Sequence, residues 1–168
     1  MRRFSIIILS TVLMSAFMWA CKVNYSFTGI STDAETVSIQ YFPNNAALAP
    51  PTLSQEFSEG LKDIFLQQTS IQLVDRGGEL QFEGEIVDYK NEPIAITSND
   101  NAAQNRLTIT VNVRFVNTLD ETQNFEQRFS RFEDYSSTQN LSSVESDLNQ
   151  LIIDQLTQDI LTRAIGNW

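Results

Sequence analysis

Residues 106–115 read RLTITVNVRF, and the fold follows from how that stretch alternates. Leu107, Ile109, Val111, Val113 and Phe115 share one parity; Arg106, Thr108, Thr110, Asn112 and Arg114 share the other. So strict a period of two predicts a strand with one face covered by an apolar layer and the other meeting water or a polar partner. The rest of the chain must supply that cover.

Downstream, the polar stretch Asn117 to Thr122 suits a hairpin connection. It leads to a further strand over about Asn124 to Tyr135. Phe125 and Phe129 lie on one parity there and Phe132 on the other, so a bulge near Ser130 is expected to bring all three to the core. Beyond it, Ser142 as N-cap with Glu145 at the third position starts a helix. Its stripe is Val144, Leu148, Leu151, Ile152, Leu156, Ile160 and Ala164, ending near Gly166.

Upstream, Thr97 to Asn105 is another polar connection, and Leu80, Phe82, Gly84 and Ile86 alternate with Gln81, Glu83, Glu85 and Val87. Gly77-Gly78 marks the turn into that strand. Before it, Pro51-Thr52-Leu53-Ser54-Gln55 reads as a capping box with Thr52 as N-cap. Leu53, Phe57, Leu61, Ile64 and Phe65 then share one helical face. Thr36 to Phe42 is a strand that stops at Pro43-Asn44-Asn45.

The expected architecture is α+β, with two amphipathic helices packed on one face of a four-stranded mixed β-sheet. The core is expected from Phe57, Leu61 and Phe65, from Leu148, Ile152 and Leu156, and from Leu107 to Phe115. If the strands flanking the first helix pair in parallel, that helix makes a right-handed crossover. No second domain, repeat or low-complexity tract appears in the 168 residues.

Composition narrows the function. The net charge is -10, from 11 Lys+Arg against 21 Asp+Glu. Nucleic acid is therefore not an expected partner, because neutralising phosphates takes Lys and Arg. With no histidine and one cysteine, the commonest general base, a Cys/His metal cluster and an intrachain disulfide are all missing. No cofactor or metal site is expected.

The N-terminus differs from everything after it. Arg2 and Arg3 precede the uncharged run Phe4 to Trp19, which is too short for a roughly 30 Å hydrocarbon core and fits a secretory signal. The lone cysteine follows at once, and Met18-Trp19-Ala20-Cys21 resembles a bacterial lipobox. The expectation is a signal peptide over 1–20, acylation of Cys21 and a mature domain over 21–168. Several acyl chains, at about 0.8 kcal/mol per buried CH₂, make such an anchor lasting.

Two constellations could carry chemistry. Glu83 and Glu85 lie about 6.6 Å apart by strand rise, within the range of paired glycosidase carboxylates. Nothing around them marks one as acid and the other as base, so a solvated sheet face is preferred and no enzyme is expected. GxSxG, P-loop, GxGxxG, HExxH and SxxK motifs are absent. Arg106, Arg114, Arg128 and Arg131 gather on two neighbouring strands. Arg106 and Arg114, with Arg128 beside them, form either a cationic strip for an anionic lipid or saccharide head group or a solvated face paired with Glu83, Glu85 and Glu126.

Taken in order, the lipobox, Tyr25-Ser26-Phe27-Thr28-Gly29, Ser38 to Asn44 (SIQYFPN), Leu80 to Ile86 (LQFEGEI), Asn105 to Phe115, Asn124 to Ser130 (NFEQRFS) and Asn167-Trp168 resemble the lipopolysaccharide-assembly lipoprotein family, LptE type. The resemblance implies a non-enzymatic lipoprotein in the inner leaflet of a Gram-negative outer membrane, on the periplasmic side. It implies two partners: an LptD-type β-barrel translocon that the protein supports, and lipopolysaccharide itself. Cys21 transfers as the lipidation site; Arg106, Arg114 and Arg128 are the candidates for lipopolysaccharide or barrel contact. The other reading is a free periplasmic lipoprotein that holds a small ligand or cell-wall saccharide in a closed apolar cleft.

Overall fold

The computed structural model describes residues 32–94 and 103–166. Its strands are β1 (Thr36–Ile39), β2 (Gln72–Leu73), β3 (Leu80–Ile94), β4 (Gln104–Asn117) and β5 (Phe125–Ser136). Helix α1 (Leu53–Gln68) lies between β1 and β2, and α2 (Leu141–Ile165) follows β5. The expected signal segment over 1–20, Cys21, the Tyr25 to Gly29 stretch, Asn167-Trp168 and most of the Thr97 to Asn105 connection fall outside the described residues. Among the described residues no helix is long and apolar enough to cross a membrane.

The α+β class holds, but the sheet has five strands, in the order β2-β1-β3-β4-β5. The added strand is only two residues long, too short to show any alternation. β1 pairs in parallel with both β2 and β3, while β3, β4 and β5 form an antiparallel meander. The segment after β1 continues beside β3: Ile86 N–H donates to the Pro43 carbonyl and Asn45 N–H to that of Ile86.

Both helices cover the face that carries Leu107, Ile109, Val111, Val113 and Phe115, all buried. Phe65, Phe82, Phe115, Phe125 and Phe129 run in sequence across helix and strands, with successive ring centroids 4.8–6.2 Å apart. Edge and tilted contacts of this kind add to what burial alone supplies. A Cβ at Gly84 would sit 2.1 Å from the Asn112 carbonyl oxygen and 2.6 Å from the Phe42 ring. Only a bare backbone lets Phe42 lie there, edge-on to Phe57 of α1 at 5.1 Å.

Three further sequence expectations are corrected. β4 and β5 pair without interruption from Phe115–Phe125 to Gln104–Ser136, so the bulge near Ser130 does not exist and Phe132 stays on the uncovered face. The bulge lies in β3 instead, where the register shifts between Ile86 and Asp88 and turns Tyr89 into the core. Thr52 precedes α1 but its side chain makes no capping bond, and Gln55 donates to Glu59. Asn140, rather than Ser142, caps α2 by accepting from the Ser142 N–H at 3.3 Å; Glu145 is drawn to Tyr89 instead.

The α2 stripe is also wider than expected. Leu151 is half exposed, whereas Asn149, Ile153, Thr157, Leu161 and Ile165 are buried. α2 packs against α1 as well as the sheet, and a Cβ at Gly60 would meet Ile153 Cγ2 at 2.9 Å, which marks the close approach.

Candidate functional site

In an antiparallel pair, directly opposed residues point to the same face, so the register lays out the uncovered face in rows. From one end these are Glu92–Arg106–Asp134, Lys90–Thr108–Phe132, Asp88–Thr110–Ser130, Glu85–Asn112–Arg128 and Glu83–Arg114–Glu126. Arg106, Arg114 and Arg128 thus share one face, as the sequence predicted. Arg131 does not: it faces the helices and holds Asp159 of α2 through two bonds, one of 2.8 Å.

The face is a chequerboard of both signs, with six carboxylates against four cations in those rows. Arg106 grips Asp134 with two hydrogen bonds of 2.8 and 2.9 Å. That grip holds the Asp134 carboxyl below the usual carboxylate range. The Arg106 guanidinium also stacks 3.6 Å from the centroid of Phe132. Arg114 donates to Glu83 at 2.7 Å, and Lys90 lies 3.2 Å from Asp88. Glu85 accepts from Asn45, and Glu126 from the Asn112 amide at 3.2 Å. Glu83 and Glu85 are therefore drawn to separate partners, one basic and one neutral.

Phe132 and Asp134 are the site residues that sequence reasoning passed over. Their parity already placed them beside the arginines; the supposed bulge removed Phe132 from view.

On the covered side, the buried Tyr89 hydroxyl donates to Glu145 at 2.7 Å and approaches Asn149 Oδ1 at 3.3 Å. Burial, reinforced by the Glu145 carboxylate, pushes its ionisation well above the usual tyrosine value. Tyr135 likewise donates to Asn91. These bonds tie α2 and β5 to the upper half of β3.

Two clefts lie elsewhere. One, of about 590 Å³, is lined by Thr32, the β4–β5 turn and the end of α2, including Asn117, Asp120 and Arg163. The other, of about 310 Å³, runs between the outer flanks of α1 and α2 beside Asp63, Gln67 and Asp154. Both are open and mostly polar, unlike the enclosed apolar cavities that hold small ligands. In the first, the Thr122 hydroxyl and N–H bond Asp120 and keep its carboxyl ionised to lower pH than usual.

The chain resembles several solved structures in fold. A minor lipoprotein from Acinetobacter baumannii aligns with a TM-score of 0.50 and 15% identity, covering 77% of this chain and 91% of that one. The hypothetical protein CT253 from Chlamydia trachomatis aligns with a TM-score of 0.54 and 12% identity, covering 80% and 99%. No curated protein matches. The model of the family described as "LptE: Lipopolysaccharide-assembly" matches residues 34–164, which span β1 to the last turn of α2 and include every row of the uncovered face. By that match the chain belongs to the LptE lipopolysaccharide-assembly family.

Proposed function

We propose that this chain is a non-enzymatic, lipid-anchored subunit of the outer-membrane lipopolysaccharide translocon, supporting an LptD-type β-barrel and touching lipopolysaccharide in transit. The family match over 34–164 carries this reading. The uncovered sheet face supports it: a broad surface of mixed charges, with three ion pairs and further charges of both signs between them, offers complementary partners to a polar protein wall. On this reading residues 1–20 are removed, Cys21 is acylated, and the domain over 21–168 sits on the periplasmic side of the outer membrane. Arg106, Arg114 and Arg128 belong to the surface that meets the barrel or the lipid. The open, polar clefts give no comparable support to a small-ligand carrier.

Purification of the tagged full chain from detergent-solubilised membranes tests the reading. The expected result is a stoichiometric β-barrel partner together with bound lipopolysaccharide, and an intact mass equal to the chain from Cys21 plus acyl groups. Recovery of a solitary, unprocessed chain that begins at Met1 overturns it. Cys21→Ala should abolish membrane retention and leave the domain folded, since no disulfide is lost.

A further inference from the structure

The geometry points to a binding subsite for an acidic saccharide, a pyranose ring bearing a carboxylate, in the shallow trough between Phe132 and Arg128 on the uncovered sheet face. The inference deepens the function proposed above and rests on it for the source of the sugar.

The floor of the trough is small and hydroxylated, and the Asp88 carboxylate of the same row is paired with Lys90 at 3.2 Å. Thr110 and Ser130 are directly opposed, their Oγ atoms 2.9 Å apart and exposed. Phe132 stands as one wall and is 46% exposed on a face that otherwise carries polar and charged groups. Arg106, from the row on one side, stacks on its ring and is itself held by Asp134. The Thr110–Ser130 row lies on the other side, where the ring offers C–H and face contacts. An aromatic wall over hydroxyl groups suits a sugar, whose ring carbons pack on the aromatic while its hydroxyls find partners below.

Arg128 closes the opposite end. Among the described residues it is the one cation in these rows that belongs to no ion pair; Arg106, Arg114 and Lys90 each have a carboxylate. The nearest acids are engaged elsewhere, Glu126 by Asn112 and Glu85 by Asn45. Arg128 lies four residues from Phe132 on the same strand, about 13 Å by strand rise. Across that backbone span, a single ring can rest its carbons on Phe132 at van der Waals distance while its one carboxylate meets the long Arg128 side chain through a charge-assisted bond of about 2.8 Å. A bare phosphate would use Arg128 and ignore Phe132.

The test uses the acylated full chain in detergent micelles, titrated with trigalacturonate or with neutral galactotriose and followed by saturation-transfer NMR. Trigalacturonate should bind at least about fivefold more tightly than galactotriose, the difference a charge-assisted pair supplies. Phe132→Ala and Arg128→Gln should each weaken trigalacturonate about tenfold, Arg128→Lys should weaken it less, and Arg76→Gln, in the exposed connection between β2 and β3, should leave it unchanged. The same variants are then assayed for lipopolysaccharide capture and for barrel co-purification. Parallel loss of lipopolysaccharide capture places the acidic sugar within lipopolysaccharide. Loss of trigalacturonate alone upholds the subsite and removes lipopolysaccharide from this face. Equal binding of the two sugars, or no effect of Phe132→Ala and Arg128→Gln on them, overturns the inference. So does loss of the barrel without loss of saccharide, which makes the trough a protein interface; the proposed translocon role survives both outcomes.

Discussion

The two faces of β4 are built from neighbouring residues yet obey different physics. On one, Leu107 to Phe115 are buried beneath α1 and α2. On the other, one residue away at every step, Arg106, Thr108, Thr110, Asn112 and Arg114 meet solvent and one another's charges. The covered face gathers apolar area removed from water, the main source of stability. The uncovered face holds exposed ion pairs, whose median contribution is about 0–1 kcal/mol. Recognition can therefore change on one side of the sheet without loosening the other.

The aromatic relay gives the hardest test. Phe82→Ala and Phe115→Ala should each destabilise by about 3–5 kcal/mol in urea unfolding. A loss under about 0.5 kcal/mol in either would mean that the two faces are inverted. A step along β4 sharpens the contrast: Leu107→Ala should cost about 2–4 kcal/mol, whereas its neighbour Thr108→Ala should stay within about 0.5 kcal/mol.

Tyr89→Phe, on the covered side, should cost about 1 kcal/mol through the lost bonds to Glu145 and Asn149. Its raised ionisation adds a sign. Folding favours the neutral phenol, so that contribution is whole below the unfolded tyrosine value near pH 10 and is lost at higher pH. The variant should lose part of the alkaline sensitivity of the wild type.

Effects on the uncovered face should be the smallest. A double-mutant cycle with Glu83→Gln and Arg114→Gln should return about 0–1 kcal/mol, shrinking with added salt. Asp134 has its folded value depressed by Arg106. Its contribution is therefore complete above the unfolded value of about 3.9 and fades as pH falls through the folded one. Asp134→Asn should flatten that part of the acid-unfolding curve; a curve identical to wild type would show that the pair is idle in solution.

These contrasts were largely legible in the sequence because β4 alternates without a fault. Parity alone put Arg106, Arg114 and Arg128 on one face and the core on the other. Partner choice was not legible. Glu145 matched a capping box, but the buried Tyr89 hydroxyl claims it, and Tyr89 reaches the core only through a bulge that no residue of β3 announces. β2 escaped notice because two residues cannot display a period. Phe132 breaks the polar pattern of its face, and a bulge near Ser130 is the repair that hydrophobicity alone suggests. The structure keeps it outside, on the parity it shares with Arg128, and stacks Arg106 of the neighbouring strand on its ring, a contact set by the register between β4 and β5.

The unequal ends of the sheet bear on how the protein avoids sticking to itself. A sheet grows by adding strands to bare edges, which makes edges the starting points of aggregation. At one end β2 offers only two residues, too little for another chain to pair with. At the other, β5 offers twelve, but Glu126, Arg128, Arg131 and Asp134 punctuate them with charges of both signs. A second strand laid there would have to match that pattern on both faces at once. The edge is thus long enough to admit a partner that satisfies the pattern and hostile to strands that do not, including most registers of its own copy.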